Sequence, residues 1–326
     1  MRRAAFPPLA SPSLPAAILL AGLAALAIAL AGCSSAPKRK TEVVERKERA
    51  AEYALAGNAR YARGDYRQAL MLFRLALNEN LAVDHQPGSA SSYNSLGKAH
   101  LALGELEEAE RYFREALRLA EKLSDPRLEA QSSSNLAEIH LARGRNQQAE
   151  ELLRAALARL PAGDPGPEQA ILLHNLGAAL KARDRLPEAL DLFRQALALN
   201  LRQERFEEAA SNHYMIASVQ SRQGDAAAAL VSLSEVLRYD RLMEQSVGIA
   251  KDLAAMGLLY RKRGDEAAAL DAYRRSLQVY QSLSLVEEAR RLLPALIELA
   301  ERAGLAGEAQ TYRRLAGEAA EPAGRK

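Results

Sequence analysis

Glycine and alanine recur in this chain at a constant interval of 40 residues. The phased glycines are Gly64, Gly104, Gly144, Gly224, Gly264 and Gly304, and Asp184 takes the remaining position. An alanine follows five residues after each of these positions, from Ala69 to Ala309. Only 19 of the 326 residues are glycine, so composition does not explain six of them in phase. A period of this length predicts an array of seven stacked units.

Each unit reads as two helices joined by a tight turn. In the second copy, Leu96 and Leu101 precede Gly104 at helical spacing, and Leu106 and Phe113 follow it. Glycine suits the turn because it has no Cβ to clash at positive φ. The pattern therefore predicts an all-α chain of helix–turn–helix units.

Other positions also keep one kind of residue from copy to copy. Small residues recur where the two helices of a unit would cross, at Gly57, Gly97, Ala137, Gly177, Ala217 and Gly257. A large residue follows in each copy, at Phe73, Phe113, Leu153, Phe193, Leu233 and Tyr273. Leucine recurs four residues later, from Leu77 to Leu277. These positions predict close helix crossings, with the large side chain filling the space between the helices.

The repeated positions, or slots, follow a pattern that resembles the tetratricopeptide repeat, a helix–turn–helix unit with small residues around one aromatic. The resemblance implies a right-handed α-solenoid of seven repeats over residues 50–321, with residues 322–326 as a tail. The usual unit of that family has about 34 residues, so about six additional residues are expected in helix ends or connectors. In the seventh copy, Ile297, Arg313 and Gly317 replace the small, aromatic and leucine residues, as expected of a degenerate capping repeat.

The connectors between units differ in composition along the chain. Early connectors contain Pro87, Pro126 and Pro161. The later junctions, near Arg205, Glu244 and Val286, have no proline or glycine in the connector itself. Longer helices with tighter turns are therefore expected at the later junctions.

The N-terminal segment has a different character. Arg2 and Arg3 precede the uncharged run 16–31, which at ~1.5 Å per residue makes roughly 24 Å of helix, short of the ~30 Å hydrocarbon core. A cleaved secretory signal fits this length better than a permanent span. Residues Leu30–Cys33 resemble the lipobox of bacterial lipoproteins, in which the cysteine is lipidated and cleavage occurs before it. The resemblance implies a signal peptide over residues 1–32 and a lipid, such as palmitate, on Cys33.

Cysteine content agrees with this interpretation. Cys33 is the only cysteine, so an intramolecular disulfide does not account for it. The alternative is a chance cysteine at the end of a membrane anchor. Residues 33–49 are expected to form the lipidated N-terminus, a short tether and the start of the first helix. Ser34 follows the cysteine where aspartate would favour inner-membrane retention, which implies an outer-membrane protein facing the periplasm.

Charge and motifs argue against several classes of function. Removing Arg2 and Arg3 with the signal lowers the net charge from +3 to +1, which gives no electrostatic basis for nucleic-acid binding. His100 and His140 occupy the same repeat slot, so their spacing favours packing over a metal pair. No nucleophile, phosphate-loop or metalloprotease motif is present. The sequence therefore predicts no enzyme, no cofactor and no small-molecule substrate.

The repeat resemblance also implies a concave groove lined by fixed slots of each first helix. Those slots hold Asn58, Tyr61, Asn94, Lys98, Gln131, Asn135, Glu138, His174, Asn175, Lys181, Tyr214, Ser218, Arg222, Lys251 and Arg261. A ladder of asparagine amides can pair with the backbone of an extended peptide, although asparagine and serine are also tolerated on solvated helix faces. Basic residues prevail from Lys181 to Arg261, which predicts an acidic segment of the partner in that half.

Together these features predict a lipid-anchored scaffold that holds a protein or peptide partner while an envelope complex is assembled. The predicted architecture of the scaffold is similar to that of pilotins and of outer-membrane assembly helpers. Two alternatives stay open at this point. One is an accessory subunit that docks a periplasmic ligand-binding transport protein, and the other is a surface-exposed adhesin.

Overall fold

The computed structural model describes residues 41–163 and 166–318. These residues form fourteen helices and no strand. The helices are α1 Glu42–Ala62, α2 Tyr66–Ala82, α3 Gln86–Ala102, α4 Leu106–Leu123, α5 Pro126–Ala142, α6 Asn146–Arg159, α7 Pro167–Ala182, α8 Leu186–Arg202, α9 Phe206–Arg222, α10 Ala226–Leu242, α11 Ser246–Lys262, α12 Glu266–Ser282, α13 Val286–Arg302 and α14 Ala306–Glu318. The predicted signal peptide over residues 1–32, Cys33 and the predicted tail 322–326 lie outside the described residues.

The helices pair into seven helix–turn–helix units, which confirms the predicted all-α solenoid. Odd-numbered helices are the first helix of each unit, and even-numbered helices are the second. From residue 46 onward the array is one compact unit in which each helix from α2 onward packs on the next in sequence, and α1 contacts α2 where Gly57 meets Phe73. First helices of consecutive units also pack directly in the pairs α3/α5, α5/α7 and α7/α9. Among the described residues, no helix has the length and the apolar run required to cross a membrane.

Twelve of the thirteen turns recur every 20 residues and share one geometry, and the exception is the connector between α6 and α7, where Leu160 is extended. The turn glycines have positive φ, and so do five residues between units, namely Asp84, Ser124, Glu204, Glu244 and Ser284. The following amide donates to a carbonyl five residues earlier, as from Arg205 N to Asn200 O (2.9 Å) and from Gln245 N to Asp240 O (2.8 Å). This is the bond pattern of a Schellman motif, which satisfies carbonyls at a helix C-terminus.

Helix lengths correct one prediction. Helices α8 to α13, which flank the later junctions, are all 17 residues long, like α2 and α3 near the start of the array. Helices α6 and α7, beside the proline-rich connector 160–166, have 14 and 16 residues. The later helices are therefore longer than those beside this connector, as expected, but not longer than those beside Pro87 and Pro126. At those two junctions one left-handed residue closes the turn as it does at the later ones, so the turn geometry sets helix length there. The additional residues of the 40-residue unit lie in the helices.

The packing of each unit follows the predicted slots. Gly57, Gly97, Gly177 and Gly257 lie directly against the rings of Phe73, Phe113, Phe193 and Tyr273, respectively, so that an added Cβ would overlap or press on each ring. The phased alanines from Ala69 to Ala309 are all buried. The small residues thus allow close helix crossings, and the aromatic ring fills the remaining space.

Two second helices bury a glutamate among arginines. Glu110 on α4 and Glu150 on α6 are 5% and 6% exposed. Arg154 and Arg185 donate to the Glu150 carboxylate at 2.9 and 2.8 Å, and Arg183 donates as well. Burial alone would raise the pKa of Glu150, but these hydrogen bonds outweigh it and lower the pKa.

Glu110 is held in the same way one unit earlier. It accepts hydrogen bonds from Arg114 and Arg143, and Arg145 lies 3.9 Å away. In both units the arginines replace the hydration that burial removes from the carboxylate.

Candidate functional site

The first helices α9 and α11 pack less closely than the pairs α3/α5, α5/α7 and α7/α9, and two cavities open between them. We call this region the α9/α11 cleft. Tyr214 of α9 lines both cavities. The larger cavity has a volume of about 650 Å³ and the smaller about 230 Å³. The cleft is therefore large enough to accept side chains of a partner.

Around the smaller cavity the cleft is amphipathic. Tyr214 and Leu258 expose 49% and 48% of their surface although both are large apolar residues. Leu233 of α10 forms part of the wall, and Ser218 and Arg222 supply polar groups. Apolar surface flanked by polar groups is typical of sites that bind protein or peptide segments.

The larger cavity is acidic, and we refer to it as the acidic cavity. Glu207 of α9, Asp240 of α10 and Asp252 of α11 line it, together with Lys251 and Tyr280. Asp252 is only 3% exposed, and its Oδ2 has no hydrogen-bond partner among the described residues. Burial and the neighbouring Asp240 raise the pKa of Asp252 to about 7. Burial, together with Glu207, also raises the pKa of Asp240.

Gly248 allows the Asp240 carboxylate to lie close to α11. A Cβ added to Gly248 would overlap that carboxylate. The equivalent place one unit earlier, between α7 and α9, holds Glu208 instead of glycine. There the cavity is only about 110 Å³ and carries Asn200 and Asn212 where the acidic cavity has its two aspartates.

Several residues predicted from the repeat slots line these cavities. Tyr214, Ser218, Arg222 and Lys251 lie in the α9/α11 cleft. His174 and Asn175 line the cavity between α7 and α9, where His174 Nδ1 lies 3.0 Å from Asn212 Oδ1. Burial lowers the pKa of His174, and the Asn212 bond offsets this only in part.

The predicted asparagine ladder lies between helices. Asn135 Nδ2 donates to Asn94 Oδ1 at 3.1 Å, and Asn94 Nδ2 donates to Ser132 Oγ at 2.9 Å. Asn175 Nδ2 donates to Ser134 Oγ at 2.6 Å. Asn94 and Asn135 are buried, so the prediction that their amides face a peptide backbone is wrong. The ladder joins α3, α5 and α7.

The basic character predicted for the far half is neutralised within the chain. Arg222 donates to Asp184 at 2.8 Å, and Arg261 donates to Glu298 at 2.6 Å. Lys181 Nζ donates to Ser218 Oγ at 3.2 Å, and burial, together with Arg222, lowers the pKa of Lys181. Arg222 and Arg261 are thus paired within the chain, so the prediction of a basic half that is free to bind an acidic segment is wrong for these two residues.

The remaining predicted residues lie apart from the cleft, on earlier units. Tyr61 is partly buried and its ring centroid is 5.2 Å from that of Tyr66. Exposed side chains are those of Asn58, Lys98, Gln131 and Glu138. Restricted hydration raises the pKa of Glu138, with Lys98 acting in the opposite direction.

His100 has a packing environment, as its repeat slot predicts. It is buried, its Nδ1 lies 2.5 Å from Glu105 Oε2, and its ring stacks on Tyr112 with centroids 5.3 Å apart. Within residues 41–163 and 166–318, no group of three histidine, cysteine or carboxylate side chains is arranged to hold a metal ion.

Sequence reasoning missed Asp240, Asp252 and Gly248. Asp252 could have been found by comparing the residues at the same position of each 40-residue unit. The same slot holds an exposed Glu52 in the first unit, and it holds Ser92, Ser132, Leu172, Asn212 and Leu292, all buried, in the later units. After the first unit, Asp252 is therefore the one carboxylate in a slot that is otherwise buried and uncharged, and such a residue needs a partner.

The fold and the cleft define a helical-repeat scaffold. Residues 48–122 and 128–202 match the family model of the tetratricopeptide repeat. These residues therefore carry tetratricopeptide repeats, an architecture that serves as a scaffold for protein–protein interaction. No curated protein matches the sequence.

Solved structures share this fold at low sequence identity. A signal-transduction ATPase with a tetratricopeptide repeat sensor, from Pyrococcus horikoshii, has a TM-score of 0.66 at 15% identity over 85% of this chain and 42% of that chain. A Rap protein complexed with Competence and Sporulation Factor has a TM-score of 0.59 at 16% identity, covering 82% and 73%. A plasmid Rap conjugation gene regulator in complex with the Phr* peptide has a TM-score of 0.58 at 18% identity, covering 82% and 72%.

Proposed function

We propose that this protein is a non-catalytic, lipid-anchored envelope scaffold that binds a peptide-like segment of a partner protein in the α9/α11 cleft. The observation that carries the proposal is the exposure of Tyr214 and Leu258 beside two cavities. When a partner covers apolar side chains in a concave site, their removal from water stabilises the complex. Two Rap structures with the same fold are complexes, one with Competence and Sporulation Factor and one with the Phr* peptide, and the second supports a peptide-like occupant here.

The anchor and location rest on the sequence. Leu30–Cys33 supplies the lipidation signal, and Ser34 supplies the sorting signal to the outer membrane. The partner would then be a periplasmic segment of an envelope complex under assembly. An acidic partner is not part of this proposal, because Asp184 and Glu298 already pair with Arg222 and Arg261.

The cleft is tested by in-cell photo-crosslinking from position 218, which lines the smaller cavity. The double variant Tyr214→Ala with Leu258→Ala should reduce the crosslinked partner by about tenfold, because apolar anchors dominate such interfaces. The matched control is Met71→Ala with Val231→Ala, which removes exposed apolar side chains from second helices. Equal loss in both variants, or none in either, would contradict a binding site in this cleft.

The anchor is tested by labelling cells with a fatty-acid analogue. Wild-type protein should carry the label and fractionate with the outer membrane, whereas Cys33→Ser should be unlabelled and remain as precursor. An unlabelled, soluble wild-type protein would disprove the anchor. Protease treatment of intact cells distinguishes the periplasmic orientation from an adhesin, because only surface-exposed protein is degraded.

A further inference from the structure

We propose that the acidic cavity binds a positively charged side chain, arginine or lysine, of the peptide-like partner. This inference rests on the proposed function and specifies the chemistry of the partner. The acidic cavity adjoins Tyr214, so a segment that covers this residue can place one side chain in it.

The charge balance of the cavity favours a cation. Three carboxylates line it, those of Glu207, Asp240 and Asp252, against the single amine of Lys251. Lys251 is exposed and leaves Oδ2 of the buried Asp252 without a donor. A buried carboxylate without a donor is unfavourable, and a cationic donor supplied by a ligand removes this penalty.

The fold itself shows which group satisfies a buried carboxylate. Glu110 and Glu150 are as deeply buried as Asp252, and each is surrounded by three arginines of this chain. A guanidinium presents several donors in a planar fork that matches carboxylate oxygens. The acidic cavity has the carboxylates of such a cluster without its guanidinium groups.

Size and aromatic residues fit the same occupant. The cavity of about 650 Å³ has room for a long side chain, whereas the equivalent cavity between α7 and α9 has only about 110 Å³. Tyr214 and Tyr280 line the acidic cavity and can contact a cation through their ring faces. Elsewhere in this chain, Arg111 and Arg238 lie 4.3 and 4.2 Å from tyrosine ring centroids.

Binding of a cation should depend on pH through Asp252. The groups that face Asp252 are Asp240 of α10, Glu207 and Tyr214 of α9, Lys251 of α11 and Tyr280 of α12. Without a ligand, the pKa of Asp252 is raised to about 7, so near neutral pH a substantial fraction is protonated. A cation binds the ionised form better, so affinity should rise as pH increases through about 7.

The first experiment uses agmatine, which carries a guanidinium and an ammonium group. Carbon-detected NMR of the aspartate carboxyls should show that agmatine lowers the pKa of Asp252. Tetramethylammonium at the same ionic strength should not, because it cannot donate a hydrogen bond. An Asp252 pKa that does not move, or that moves equally with tetramethylammonium, would overturn the cation site.

The second experiment selects short peptides from a displayed random library with equal frequencies of basic and acidic residues. Peptides selected on the wild type should share an arginine or lysine at one position. Replacing that residue by norleucine should weaken binding about tenfold, as should Asp240→Asn with Asp252→Asn in the protein. Combining the two changes should weaken binding little further, because both remove the same ion pair.

The control variant Asp271→Asn with Glu287→Gln removes the same charge from exposed positions and should bind normally. Thermal unfolding checks that all variants are folded. If peptides lose binding to Tyr214→Ala with Leu258→Ala but show no basic preference, the cation site is wrong while the proposed function stands. If they bind that variant normally, the proposed function is wrong, and the agmatine measurement still decides the cation site.

Discussion

Two equivalent clefts of this array differ in what they can accommodate. Between α7 and α9, the slots hold Asn200, Glu208 and Asn212 around a cavity of about 110 Å³. Between α9 and α11, the same slots hold Asp240, Gly248 and Asp252 around about 650 Å³. In the first cleft, Asn212 donates to the Glu208 carbonyl at 2.7 Å and contacts His174, so its amide is satisfied within the chain. In the second, Asp252 lacks such a partner.

The comparison shows how one backbone can produce a closed junction or an open site. An amide both donates and accepts, so an asparagine can be satisfied by the helices around it. A carboxylate only accepts, and two of them in one place require a proton or a cation. Glu110 and Glu150 add a third case, in which arginines of the same chain supply that cation.

The largest expected effect comes from removing arginine partners of Glu150, so that this buried carboxylate, like that of Asp252, has too few donors. Arg183→Met with Arg185→Met leaves Arg154 as the only close cation. We expect the free energy of unfolding near neutral pH to fall by about 3 kcal/mol, because the carboxylate stays buried with less compensation. Chemical denaturation measures this. The control variant Arg194→Met with Arg275→Met removes arginines from exposed ion pairs and should lower the free energy of unfolding by no more than about 0.5 kcal/mol. Equal losses in the two variants would contradict a stabilising role of Arg183 and Arg185 at Glu150.

The converse change is Asp252→Asn. The native pKa of Asp252, about 7, lies above the ordinary value of about 3.9, so the native state holds this proton more tightly than the unfolded state. Its contribution to stability is therefore fully present below about pH 4 and is lost as pH rises to about 7. The full pKa difference corresponds to about 4 kcal/mol, and solvent in the acidic cavity screens part of it. The variant should therefore be more stable than wild type by about 2 kcal/mol at pH 8 and nearly equal to it near pH 4. A stability difference that does not change with pH would mean that Asp252 is not buried as an unpaired acid.

Gly248→Ala tests the space that keeps the acidic cavity open. The added Cβ overlaps the Asp240 carboxylate, so we expect a loss of about 1 kcal/mol in thermal unfolding. Asp240→Ala should relieve this loss when the two changes are combined. Gly307→Ala, where no atom lies near the added Cβ, should be neutral or slightly stabilising. Additive losses in the double variant would show that the overlap is not with Asp240.

The smallest expected effect concerns the exposed ion pair in the smaller cavity. Asp184→Asn releases Arg222 from its carboxylate partner. Both side chains are largely exposed, so stability should change by less than about 0.5 kcal/mol in chemical denaturation. Peptide binding should change mainly in its dependence on salt. A large loss of stability would show that this pair holds the cleft together.

Sequence periodicity predicted the fold well because the repeated residues report packing directly. Gly97 beside Phe113 and a positive φ at Gly104 follow from the sizes and conformational freedom of these residues. Ser284 and Glu244 adopt the same left-handed conformation without being glycine. The composition of the connectors therefore predicted the short α6 and α7 beside Pro161 but not the equal helix lengths at the other junctions.

The site was harder to predict because it depends on which face of each helix is covered. Successive residues on a helix point about 100° apart, so a slot displaced by one position moves a side chain from an open face to a buried one. Asn94 and Asn135 show this displacement. Asp240 and Asp252 come from different helices, and each alone looks like a surface residue until the helices are packed.

The even spacing of the turns has a consequence for how the chain folds. Every turn except that between α6 and α7 closes through a bond across five residues, and helices pack on near neighbours in sequence, so the array has low contact order. Such chains fold quickly, and each unit can consolidate once the next has been synthesised. Deleting one 40-residue segment between equivalent turns would shorten the array without disrupting any turn. Units can therefore be gained or lost during evolution while each cleft keeps the chemistry of its own side chains.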